Sequence, residues 1–260
     1  MPPETTAPPH CLVTGATGYI GSRLVPMLLD RGMRIRVLAR TPAKLEDAPW
    51  RSDVEVVQGD LTDPDSLERA CGGDSDAVDV VYHLVHAMGS ADDFAEAERR
   101  GAVNMADAAR RNGVGRIVYL GGLHPEEARL SRHLRSRTEV GRILCESGVP
   151  TMVLQAGVVV GAGSASFEMI RHLTNRLPVM TTPRWVHNRI QPIAISDVLH
   201  YLAGAATAPI ERSRTWDLGG PDVLEYGDMM QIYADVSGRR RRAIIVLPWL
   251  TPTIDRKSVV

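Results

Sequence analysis

Three glycines spaced three apart stand near the start of the chain, in Gly15-Ala-Thr17-Gly18-Tyr19-Ile20-Gly21. Glycines at this spacing leave no Cβ between the main chain and a pyrophosphate, and a helix opening behind them aims its positive end at the phosphates. The context gives the pattern weight. The apolar, β-branched run Cys11-Leu-Val-Thr14 precedes it, and an amphipathic stretch from Tyr19 to Arg31, closed by Gly32, follows. About 20 residues further on, such a site reads its dinucleotide with an acid for a ribose 2'-hydroxyl or a base for a 2'-phosphate. Here the chain runs Val37-Leu-Ala39-Arg40-Thr41 with no acid. Arg40, with Arg23 or Arg36 as candidate helpers, therefore favours NADP(H) over NAD(H).

Other residues suit proton transfer or anchoring. His86 and His124 follow the fourth and fifth apolar runs, where ligands of parallel sheets bind. His133 and Arg137, four apart, share one face of a predicted helix. An imidazole there could move a proton, and a guanidinium could hold ribose hydroxyls as a fixed charge. Further along, Trp185, His187 and Arg189, with Arg184, Asn188 and Gln191, form a polar-aromatic cluster fit to bind a substrate. Each set also has a plain structural reading: loop histidines, an exposed arginine-rich helix face, a hairpin with a solvated side. Of the 30 basic residues only Lys44 and Lys257 are lysines, so lysine chemistry has almost no residue to use.

The elements that must position these groups alternate. Short apolar runs at 11–14, 35–39, 54–57, 78–84, 116–120 and 151–154 are separated by helical segments at 65–71, 91–111 and 130–147. That alternation predicts an α/β, Rossmann-type, doubly wound parallel sheet covered on both faces. The reading divides the chain into a disordered leader at 1–9, a dinucleotide-binding domain at 10–156 and a smaller substrate-side region at 157–260. In that region helices are predicted over 167–176, from Ser196 with Ser196 and Asp197 as cap and first turn, and over 226–236, with a strand at 215–220. With 44% hydrophobic residues the chain can bury a core, and its net charge of -1 gives no reason to expect a nucleic acid partner. The block Arg239-Arg-Arg-Arg242 reads as a solvated helix end. Cys11, Cys71 and Cys145 form no C-x-x-C pair, which argues against structural zinc and a disulfide framework and fits a cytoplasmic protein. No apolar run approaches the roughly 20 residues of a membrane span.

The Gly-x-x-Gly-x-x-Gly turn at 15–21, Gly59-Asp60-Leu61 after the third run, Tyr82-His-Leu84 and Pro192-Ile-Ala-Ile-Ser-Asp197 together resemble the short-chain dehydrogenase/reductase superfamily. The resemblance is to its extended and atypical branches, and within them to the NAD(P)H-binding group of NmrA-like regulators and the NADH-dehydrogenase accessory subunit. It implies that Gly15, Thr17, Gly18, Tyr19, Ile20 and Gly21 hold the pyrophosphate, that Asp60 and Leu61 meet the adenine, and that Leu84 and His86 line the cofactor. Catalytic members use Tyr-x-x-x-Lys, in which the lysine lowers the tyrosine pKa and binds the ribose. None of the six tyrosines here has a lysine four residues on, and Leu120-Gly121-Gly122-Leu123 stands where Ser or Thr belongs. His133 and Arg137 occupy the corresponding helix, with His124 as a second proton-handling candidate. The expected function is an oxidoreductase or isomerase on a small organic carbonyl or enone. A non-catalytic NADP(H) sensor or structural subunit, and a nucleotide-sugar epimerase or dehydratase, remain as alternatives. With no closing helix expected after Pro248-Trp-Leu250, three alternatives stand for the pocket: it is incomplete, it is closed by a second subunit in a homodimer, or it belongs to a longer parent chain.

Overall fold

Apolar strands alternating with amphipathic helices can satisfy their backbone and bury their apolar faces together in a parallel sheet covered on both sides. A computed structural model describes residues 7–72, 76–85, 93–124 and 130–247 of the chain. β1 (His10–Thr14) leads through the glycine turn into α1 (Gly21–Asp30), followed by β2 (Arg34–Ala39), β3 (Glu55–Gln58), α2 (Pro64–Cys71) and β4 (Val80–His83). Next come α3 (Asp93–Arg111), β5 (Arg116–Gly122), α4 (Arg132–Cys145) and β6 (Thr151–Ala156). Beyond them lie β7 (Val159–Val160), α5 (Ala165–Arg176), β8 (Val179–Thr182), β9 (Arg189–Ile190), β10 (Ile193–Ala194) and α6 (Ile195–Ala205). The described chain closes with β11 (Arg214–Leu218), β12 (Leu224–Glu225), α7 (Tyr226–Val236) and β13 (Ala243–Val246).

Seven strands form one sheet in the order β11-β6-β5-β4-β1-β2-β3. The β1–β2, β2–β3, β1–β4 and β4–β5 pairs are parallel. The order reverses between β1 and β4, so the crevice at the carboxyl ends of these two strands is where a doubly wound sheet takes its ligand. One face of the sheet, carrying Leu12, Leu38, Val81, Ile117 and Val153, packs on Leu67, Met105, Val140 and Leu144 of α2, α3 and α4. From the other face the buried Tyr82 hydroxyl donates to Leu202 O of α6 at 2.9 Å. Short polar residues start the helices: Asp63 accepts from the Asp65 N–H, Ser131 from Leu134 and Ser164 from Phe167. α1 differs in having no side-chain cap.

One compact unit runs to Gln155 and takes in Leu199–Asp217, whose β11 joins the large sheet. The other comprises Ala156–Val198 and the residues from Leu218 onward, so 199–217 groups with the sheet rather than with the region read from 157 onward. This second unit is built from three two-stranded pairings, β7–β10, β8–β13 and β9–β12, around Ile170, Met180, Met229 and Met230. Two local expectations change. α6 begins at Ile195, so Ser196 lies inside it and bonds Asp197 instead of capping. Arg184–His187 is a 3-10 turn and β9 pairs with the distant β12, so no hairpin forms at 184–191. Arg239–Arg242 follows the end of α7, where the Arg239 N–H donates to Ala234 O and the exposed Arg241 pairs with Asp235, as a solvated helix end would; only Arg242, donating to Thr174 O, is tied further off. Of the leader, 1–6 lie outside the described residues, and 7–9 carry no regular structure.

Candidate functional site

At the switch point the backbone itself makes the site. Thr14 ties β1 to β4, its hydroxyl donating to Tyr82 O at 3.1 Å and accepting from the Leu84 N–H at 3.1 Å. That strap sets the Leu84 main chain against Gly15, where a Cβ would lie 3.0 Å from the Leu84 carbonyl; Gly15 also adopts φ +74°. At Gly21 a Cβ would come 2.3 Å from Gly15 O, so the turn and the first residue of α1 interlock. Thr17 and Gly18 are exposed, and Tyr19 and Ile20 are partly so. The Tyr19 hydroxyl is buried without a partner, and the Arg23 guanidinium lies 4.0 Å from the Tyr19 ring centre. An uncapped helix N-terminus, a turn closed to any Cβ and an orphaned hydroxyl fit the phosphates of a dinucleotide.

Arg40 follows the last residue of β2, its side chain 80% exposed and its Nε 4.0 Å from Asp60 Oδ2. Asp60 accepts from the Thr62 N–H at 2.8 Å and hydroxyl at 2.7 Å. Burial pushes its carboxyl up, but those bonds, with Arg40 and Arg100, outweigh burial and hold it below the usual range. Asp60 is thus an anchored acceptor, and Leu61 beside it is held through its carbonyl by Asn104 at 2.9 Å. Of the two helper arginines, Arg36 is excluded. It is 4% exposed and donates to Glu55 at 2.7 Å, Ala70 O at 3.0 Å and Asp76 O at 3.1 Å. Turning it outward would strip a donor from the Ala70 and Asp76 carbonyls and leave Glu55 unpaired, so it does not serve a phosphate at the surface.

At the end of β5, α4 contributes Arg137, whose Nη1 would lie 3.7 Å from a Cβ built on Gly122. The same Cβ would be 2.9 Å from Leu134 Cδ2, a physical reason for glycine where a hydroxyl residue was expected. His133 is exposed in the first turn of α4 and stacks on the buried Phe94, ring centres 4.4 Å apart. His124 is held differently, with Nε2 3.0 Å from Thr138 Oγ1 and 3.3 Å from the Gln155 amide. His86 lies outside the described residues. Tyr119 does not replace the missing tyrosine: burial pushes its hydroxyl up, and it donates to Arg137 O at 3.1 Å. Sequence reading missed Thr138, Gln155 and His83. A polar Gln155 ending an apolar strand was a usable signal; Thr138 had none, because only the fold brings it to His124. His83 is fully buried at the end of β4 beside Tyr119, with Nδ1 unpartnered, and burial lowers its pKa to about 4.

In the second unit, His187 Nδ1 lies 2.7 Å from Glu225, and Arg189 stands opposite Glu225 in the β9–β12 register. Both are therefore used in pairing the strands. Trp185 packs edge-on against Tyr226, ring centres 5.4 Å apart, and its indole Nε1 is buried without a partner. Among the described residues no cluster of His, Cys, Asp or Glu could hold a metal, and no helix is long and apolar enough to cross a membrane. Burial pushes the Cys11 and Cys71 thiols up to about 12, so neither is a nucleophile.

A family model described as NAD(P)H-binding matches residues 15–154, from the glycine turn through β6. The chain is 37% identical over 125 residues to a 3 beta-hydroxysteroid dehydrogenase/Delta 5-->4-isomerase of Mycobacterium tuberculosis, covering 44% of this chain and 32% of that protein. It is 28% identical over 201 residues to the ceramide reductase of Caulobacter vibrioides, covering 76% and 61%. It is 29% identical over 239 residues to a Streptomyces griseus (4-alkanoyl-5-oxo-2,5-dihydrofuran-3-yl)methyl phosphate reductase, covering 89% and 75%. The match thus spans about a third of the steroid dehydrogenase and under two thirds of the ceramide reductase. In fold it resembles the Bordetella bronchiseptica enzyme WbmG solved in complex with NAD, with a TM-score of 0.76 at 21% identity over 95% of this chain and 84% of that one. With the glycine turn at the switch point and the family match over the same sheet, the chain belongs to the NAD(P)H-binding family, as an atypical relative of the short-chain dehydrogenases/reductases.

Proposed function

We propose that the protein is an NADP(H)-linked oxidoreductase or isomerase acting on a small organic carbonyl or enone. The observation that carries the reading is Arg137 reaching over Gly122 at the carboxyl edge of the sheet, with His124 held beside the same strand end. The named activities of the steroid, ceramide and furan phosphate relatives support carbonyl or enone chemistry as the class.

When bound, the nicotinamide supplies or accepts a hydride. The chain's residues do the rest. The turn at 15–21 and the α1 N-terminus bind the pyrophosphate, Arg40 attracts a 2'-phosphate, and Asp60 and Leu61 meet the adenine. Leu84 lines the cofactor. Arg137 holds ribose hydroxyls as a permanent charge, which a lysine in its place would do with a deprotonable one. His124 or His133 gives or takes the proton at the substrate oxygen, the task a tyrosine performs in relatives.

Calorimetric titration with NADPH, NADP+, NADH and NAD+, alongside Arg40→Asp, tests the cofactor half. NADP(H) should bind more tightly, and the variant should lose that preference by about tenfold or more. Binding of no dinucleotide would end the reading. Turnover of NADPH with an enone and ketone panel tests the rest: loss in His133→Ala or His124→Gln identifies the proton carrier. Tight binding with no turnover on any of them would make the protein a non-catalytic NADP(H) binder.

A further inference from the structure

We infer that Arg100, on α3, is a second cationic arm for the adenosine 2'-phosphate, and that Arg40 does not set the preference for NADP(H) without it. The inference rests on the NADP(H) reading proposed above and deepens it. Arg40 has a neighbour of opposite sign: its Nε lies 4.0 Å from Asp60 Oδ2, and that carboxylate is fixed in place by the Thr62 N–H and hydroxyl. A phosphate drawn to Arg40 therefore also meets Asp60. One guanidinium beside one carboxylate carries no net charge with which to tell NADP(H) from NAD(H). A second cation is needed, and Arg36 is turned inward.

α3 brings one. A Cβ on Gly101 would lie 3.0 Å from Leu61 Cβ, and Asn104 Nδ2 donates to Leu61 O at 2.9 Å, so two residues of one α3 face dock on the residue after Asp60. Arg100 immediately precedes Gly101 and lies one turn before Asn104. It is exposed, and Glu96, one turn earlier on the helix, is engaged through both carboxylate oxygens by Arg99, at 2.9 and 2.7 Å. Among the described residues Arg100 has no carboxylate within ion-pair distance. Its charge acts on Asp60: against burial, which raises that carboxyl, the Thr62 bonds, Arg40 and Arg100 hold it down. Two guanidiniums around one carboxylate leave a net positive charge, which a 2'-phosphate answers and a 2'-hydroxyl does not.

Calorimetric titration of the full chain with 2',5'-ADP and 5'-AMP, which differ only in the 2'-phosphate, and with NADPH and NADH, tests this. Arg100→Gln should weaken 2',5'-ADP and NADPH about three- to fivefold and leave 5'-AMP and NADH unchanged. Arg100→Lys should keep the preference, because charge is what the site asks of this position, and Arg100→Glu should erase it. High salt should narrow the wild-type preference more than that of Arg100→Gln. Without any ligand, carboxyl-carbon NMR, with the Asp60 signal identified by its loss in Asp60→Asn, should show Asp60 titrating at higher pH in Arg100→Gln than in the wild type. An unmoved Asp60 titration overturns the inference. So does a preference that survives Arg100→Gln but falls in Arg40→Gln, which leaves the NADP(H) reading standing. Equal losses for NADPH and NADH would put Arg100 on the adenosine common to both and overturn its role in selection. Equal binding of NADPH and NADH by the wild type removes the NADP(H) reading and the inference with it.

Discussion

In the turn after β1 the backbone shapes the surface: Gly15, at φ +74°, lies against Leu84, and Gly21 lies against Gly15, so two glycines and a main-chain carbonyl occupy nearly all the space. At the end of β5 side chains shape it: Arg137 reaches over Gly122 from α4, His133 leans on Phe94, and His124 is held by Thr138 and Gln155. Both lie at the carboxyl edge of one sheet. A backbone site tolerates no substitution, because any Cβ collides with atoms that cannot turn away. A side-chain site tolerates many, because a different residue on another element can reach the same point. The departure from Tyr-x-x-x-Lys is therefore found at β5 and α4 and not in the glycine turn.

The sharpest way to break this contrast is Gly21→Ala. A Cβ 2.3 Å from Gly15 O forces the main chain to move; dinucleotide binding should vanish in calorimetry, and denaturant titration should show a loss of about 3–5 kcal/mol. Retained binding would mean that the turn has slack the geometry denies.

His83, paired in register with Thr14 of β1 and Tyr119 of β5, lies between the two regions. Its folded pKa of about 4 lies below its unfolded value of 6.5. Above pH 6.5 both states are neutral and stability is unaffected. As pH falls from 6.5 the unfolded chain takes a proton that the folded one refuses, so stability declines and levels off near pH 4, by about 3 kcal/mol in all. His10, lowered by burial and then by Arg36 and Arg34, acts in the same direction. Denaturation curves from pH 7.5 to 4 should flatten in His83→Gln while keeping the smaller His10 slope; an unchanged slope would show that His83 is solvated.

At the side-chain edge the effects shrink. Arg137→Met should weaken NADPH about tenfold, roughly 1.4 kcal/mol, and Arg137→Lys should recover much of it. Equal affinity in all three proteins would remove Arg137 from the ribose. Smallest is Gly122→Ser: its Cβ meets only the tip of the Leu134 side chain at 2.9 Å, so a thermal melt should register about 1 kcal/mol or less. A loss as large as that in Gly21→Ala would erase the distinction between the two edges.

Much of this was legible beforehand. Short apolar runs and helical periodicity produced β1 to β6 and their helices within a few residues, because burial on both faces of a sheet leaves its mark on every residue of a strand. The second unit was less legible. β13 pairs with β8 and β12 with β9 across long stretches of chain, and strands of two to four residues carry little periodicity. Among candidate site residues, Gly15, Gly21 and Arg40 were proposed from local spacing, and Asp60 from the family resemblance alone. Arg36 misled, since nothing in Ile35-Arg-Val marks an arginine turned inward toward Glu55 and Asp76.

By itself the sequence determined the class of fold and the glycine turn after β1, because glycine's missing Cβ and a strand's apolar character are properties of single residues and their neighbours. It also determined that no tyrosine and lysine stand four apart. Only the tertiary structure decided which arginine is exposed, which side chains lie over Gly122, and which histidine is gripped. Those depend on side chains from separate elements meeting at one sheet edge, and that meeting is set by sheet order, which no local pattern encodes.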